Sequence, residues 1–165
     1  MAAAGRADAA AEGFPARWID VSAELPAVHA ALGEAMARHR YTPHETTADG
    51  VTHFRQGSHG LAFLADTFDL GLIRRIMGRP EESFAQIAAW TSPVAGGHRL
   101  TVSLLDGVSH AKEVRAMLVE LIESFRAHGL LIDASPLFSG LDLPLESPGR
   151  PSKLHRKRAG TAPER

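Results

Sequence analysis

Apolar positions change period several times along the chain, and each change marks a predicted element. In "ELPAVHAALGEAMARHR", Val28, Leu32, Ala35 and Met36 share one stripe, and Pro26 suits a first helical turn. A helix is predicted there, with His39 and Arg40 at its C-terminal end, where cations are favoured. The preceding "RWIDVS" has Trp18 and Ile19 as anchors and admits a short strand. Residues 41–45 and 51–56 are β-capable and flank Asp49-Gly50. A two-residue type I′ turn needs positive φ twice, which Asp-Gly tolerates. That turn predicts a hairpin with Ala48 opposite Val51, Thr46 opposite His53, and His44 opposite Arg55. From Leu61 the intervals return to three and four through Leu64, Phe68, Leu72 and Ile76, predicting an amphipathic helix that ends near Gly78.

Two strands are predicted next. "SFAQIAAWT" places Phe84, Ala88 and Trp90 on one face. "HRLTVSLLD" alternates, with Leu100, Val102 and Leu104 opposed to Arg99, Thr101 and Ser103. The turn-rich "SPVAGG" joins them as a second hairpin, and the polar side of that alternation implies a sheet covered on one face only. Val114, Met117, Leu118, Leu121, Ile122 and Phe125 then form a broad stripe, with Ser109 placed to cap its start and Gly129 its end. "LLIDASPLFSGLDLPLES" reads as coil or a short strand at the edge of the core. Together these elements predict an α+β fold: an antiparallel sheet of about four strands, in two hairpins, packed on two or three helices. Their order is roughly α-β-β-α-β-β-α. A single domain over residues 14–145 is expected, between tails at 1–13 and 146–165 expected to be disordered.

Composition narrows the class. A chain of 165 residues with 44% apolar and 22% charged residues suits one globular domain. The absence of cysteine excludes disulfides and thiolate chemistry. Fifteen arginines against three lysines, with abundant alanine, suggest a GC-rich coding sequence and so a bacterial source. The first residues carry Arg6, Asp8 and Glu12 with no apolar run, unlike a signal peptide, and no span is apolar enough to cross a bilayer, so a soluble cytoplasmic protein is expected. Residues 146–165 hold six basic and two acidic side chains, a net of +4, which against a total of −1 leaves −5 for the rest. That acidic body argues against a nucleic-acid-binding core.

Candidate chemistry is sparse. His44, His53 and His59 surround the predicted hairpin, and the first two would be diagonal neighbours on one face. They are candidate metal or ligand residues, although a zinc site needs three or four ligands and no HExxH pattern fixes the geometry. Solvent-facing edge strands account for the same residues. Arg99, on the polar side of its strand, is a fourth candidate ligand residue. "GSHG" lacks the frame of a nucleophile elbow, "AGGH" is too short for a phosphate loop, and the carboxylate pairs suit solvated helix faces. Arg74 and Arg75, with Lys153, Arg156, Lys157 and Arg158 of the basic tail, are candidate contacts to phosphate groups or an anionic membrane surface. The expectation is a small non-catalytic binding or interaction domain with an unknown protein or small-molecule partner and no cofactor. The alternatives are peripheral membrane attachment through 61–77 and the basic tail, or a histidine-dependent metal site or enzyme.

Overall fold

The computed structural model describes residues 13–57 and 84–152. The first element is a strand, β1 (Pro15–Val21), followed by α1 (Leu25–Arg38), β2 (Thr42–Thr46) and β3 (Thr52–Gln56). After residues 58–83 come β4 (Ala85–Val94), β5 (Gly97–Asp106), α2 (Ala111–Ala127), β6 (Leu131–Ala134) and the two-residue β7 (Phe138–Ser139). All seven strands belong to one antiparallel sheet in the order β2-β3-β4-β5-β1-β6, with β7 also on β1. The fold is therefore α+β as expected, but with more strands than four and a strand rather than a helix first. The predicted helix over 61–77 lies outside the described residues.

One face of the sheet packs on both helices. Leu100, Val102 and Leu104 of β5 meet Val114, Met117, Leu118 and Leu121 of α2 in a single core, and Val28, Leu32, Ala35 and Met36 of α1 join it. Full burial of a side chain such as Leu118 contributes about 1.5–3 kcal/mol. Each helix closes with the same pair of hydrogen bonds: Tyr41 N–H to Met36 C=O and Arg40 N–H to Ala37 C=O on α1, Leu130 N–H to Phe125 C=O and Gly129 N–H to Arg126 C=O on α2. The left-handed position is Gly129 in α2, as expected, and Arg40, at φ 62°, in α1.

β1, which the sequence admitted only as a short strand at 17–22, has no clean alternation. It lies between β5 and β6/β7, and Pro15, Ala16, Ile19, Asp20 and Val21 are all buried, so neither face carries a polar row. The expectation of a sheet covered on one side is also corrected. Thr101 and Ser103, on the face away from the helices, are buried at 6% and 0% exposure. Their small polar side chains read as solvent-facing in the sequence, yet residues 139–151 fold over that face. The Gly140 N–H donates to Phe14 C=O, and Pro151 is buried. A Cβ on Gly149 would stand 2.4 Å from the Trp90 ring and 3.1 Å from Ser103 Cβ, so only glycine lets the segment lie this close.

Candidate functional site

Among the described residues the strap covers Ser103 and rests on part of Trp90, and strand register decides what else stands on the second face. Trp90 on β4 is opposite Thr101 on β5, which is opposite Trp18 on β1. In the next row Ser92, Arg99, Asp20 and Asp133 follow one another across β4, β5, β1 and β6. Both tryptophans are half-buried, and they are the only two in the chain. Arg99 keeps 36% of its side chain exposed while Asp20 keeps 11%.

Arg99 is held in place. Its Nε donates to Asp20 Oδ1 at 2.7 Å and its Nη2 to Oδ2 at 2.8 Å, a two-bond fork that aligns the guanidinium and carboxylate planes. The guanidinium carbon lies 4.0 Å from the centroid of the Trp18 ring, a cation–π stack. The hydrogen bonds Arg99 donates to Asp20 raise its pKa above its ordinary value, with burial opposing and the Asp20 and Asp133 charges adding to the rise. Such a group does not exchange protons in catalysis; it presents a fixed, planar positive charge. The other side chains in these two rows are indole, hydroxyl and carboxylate. Arg99 was singled out from the sequence; Trp18, Asp20, Trp90 and Asp133 were not, because only the pairing of distant strands assembles them.

The histidine hairpin is built differently from its prediction. Gly50 N–H bonds to Thr47 C=O and Thr47 N–H to Val51 C=O, both at 2.9 Å, so the loop is three residues with Gly50 alone at positive φ. A type I turn followed by one left-handed glycine spares Asp49 that conformation. The pairing shifts accordingly: Thr46 faces Thr52, Glu45 faces His53, Thr42 faces Arg55, and a bulge falls at His44. Thus His53 stands opposite a carboxylate, Glu45, rather than Thr46 as expected. Its Nδ1 lies 3.3 Å from Gln86 Nε2, and with the amide donating, the imidazole is neutral with its proton on Nε2. Burial lowers the His53 pKa; Arg55 and His44 lower it further, while Glu45 opposes. Residues 42–46 of β2, His44 included, are all exposed. His59, Arg74, Arg75, Lys153, Arg156, Lys157 and Arg158 lie outside the described residues, and among the described residues no cluster of three histidines or carboxylates is arranged to hold a metal ion.

A second polar cluster, absent from the sequence reading, joins the helices. His39, after α1, reaches Glu120 through Nε2 at 3.2 Å and Glu113 through Nδ1 at 3.5 Å. Glu113 also meets His110 Nδ1 at 3.1 Å, and the His110 ring stands edge-on to Tyr41. Glu113 and Glu120 are two helical turns apart on one side of α2, which was the legible signal. Tyr41 is buried at 2% exposure, and burial, then the Glu113 charge, drives its pKa well above the usual phenol value. This cluster ties the end of α1 to the start of α2.

An α+β domain, with helices on one sheet face and a half-covered aromatic and charged surface on the other, is what fold and site define. Comparison with family models, curated proteins and solved structures finds no match to this chain. Among the described residues no helix is long and apolar enough to cross a membrane.

Proposed function

We propose that this chain is a non-catalytic binding domain that engages its partner on the open half of the second sheet face. The observation that carries the reading is the convergence of both tryptophans and a clamped arginine in two adjacent cross-strand rows. Tryptophan and arginine dominate the energetics of protein interfaces because each offers a large, rigid contact area with a polar function attached. Here the fork to Asp20 and the stack on Trp18 hold Arg99 before any partner arrives, which reduces the ordering cost of association.

A displayed-peptide library selected on the full chain tests the proposal. Selected peptides are expected to lose binding to Ser92→Tyr, which places bulk on this face, and to keep it on Glu123→Tyr, on the exposed side of α2. Binding untouched by Ser92→Tyr, or turnover of members of a broad substrate panel, contradicts it.

A further inference from the structure

We infer that residues 141–151 are a displaceable cover on the partner surface, and that the partner reaches Trp90 and Ser103 by pushing this strap aside. The inference rests on the binding reading above and adds the regulation of that site. Its first support is how the strap is attached. At the root, Ser139 pairs with Pro15 of β1, and the Gly140 N–H donates to Phe14 C=O at 2.7 Å. Beyond the root the pattern changes. Leu143 N–H bonds to Gly140 C=O, Ser147 N–H to Pro144 C=O, Arg150 N–H to Ser147 C=O, and the Arg150 guanidinium to Leu143 C=O. Among the described residues these bonds join the strap to itself, and it meets β4 and β5 through contact alone. The contact is small. Within 141–151 the buried residues are Gly149 and Pro151, while Leu145 at the crest is 81% exposed. An apolar side chain left in water adds nothing to the seat.

The second support lies beneath the strap. Gly140 and Gly149 both press on Ser103: a Cβ on the first would stand 2.6 Å from its Oγ, and on the second 3.1 Å from its Cβ. Ser103 is fully buried there, and its hydroxyl has no hydrogen-bond partner. A buried hydroxyl without a partner forfeits the bonds that water gave it, so seating the strap carries a cost. Gly149 also rests on the Trp90 ring, which packs beside Val51, Ala88 and Leu105. Lifting the strap therefore bares part of an indole that the sheet already holds, and opens Ser103 to a partner's backbone group. An extended chain can supply both contacts. The partner's apparent affinity is then scaled by the fraction of molecules with the strap lifted.

The chain has no cysteine, so a nitroxide on Leu145→Cys is its sole label, on a side chain that stands in water. Its unpaired electron broadens nearby resonances, the Trp90 indole N–H among them while the strap is seated. The probes are library peptides whose binding Ser92→Tyr blocks. On saturation with such a peptide the broadening at Trp90 is expected to be relieved; broadening that stays or grows overturns the inference. Two variants shift the cover in opposite directions. Ser103→Ala removes the orphaned hydroxyl, so the strap seats more firmly and peptide affinity is expected to fall roughly tenfold. Pro151→Ala removes a buried ring from the seat, and affinity is expected to rise several-fold. Unchanged affinity in both variants, or shifts of the reverse sign, overturns the inference. Peptides that bind this face without relieving the broadening leave the binding reading standing and end this one; if no peptide binds the face, both fail.

Discussion

Tyr41 is the only tyrosine in the chain, so its phenolate can be followed without overlap from another. Its ring is enclosed at the junction of the two helices, with the edge of His110 against it and the Glu113 charge nearby. Both burial and that carboxylate disfavour the phenolate, so the neutral form is the one the fold stabilises. The sign follows by linkage. The stabilisation is complete below the unfolded value of about 10 and is lost as the pH rises from there toward the higher folded value. In an alkaline titration the folded chain is expected to show no phenolate absorbance while the denatured chain titrates near 10. Phenolate appearing near 10 with the helical signal intact would contradict the enclosure.

At the scale of elements, the helices and β5 were legible because each buries one face and exposes the other. The stripe of α1 and the stripe of α2 are the residues found in the core, and Leu100, Val102 and Leu104 meet them as their alternation required. The β2–β3 hairpin was legible in its existence but not its register, since turn type rather than strand pattern sets the pairing. β1 was legible only as a short strand at 17–22, because burial on both faces erases its alternation. The site was not legible for a related reason: Asp20 and Arg99 are 79 residues apart, and no local pattern announces which strands will neighbour each other. The strap over residues 139–151 was hidden by its glycines, which read as turn residues and serve as points of close approach. Gly149→Ala puts a methyl group against the Trp90 ring and is expected to cost about 1–3 kcal/mol while turning the indole toward water. Chemical denaturation and the emission maximum check this together: lower stability with a red-shifted maximum is expected, and neither change would mean that the strap does not rest on Trp90.

For the whole molecule, the two faces of one sheet divide the work. The helix-packed face supplies the core, with most of the large buried side chains on it. On the opposite face the strap covers Ser103 and rests on part of the Trp90 ring, while Trp18 and Arg99 stay half-exposed on strands held by the core beneath them. The outer edge at β2 is short, entirely exposed, and interrupted by Pro43 and the bulge at His44, features that discourage pairing with another strand. The proposed partner surface is accordingly the face rather than that edge. The most direct test uses the two indole N–H resonances of the full chain, recorded in a nitrogen–proton correlation spectrum with and without a library-selected peptide. Both resonances are expected to move, together with the backbone amides of Ser92 and Arg99. Unmoved indole resonances, with shifts gathered instead on the exposed side of α2 or along β2, would contradict the account.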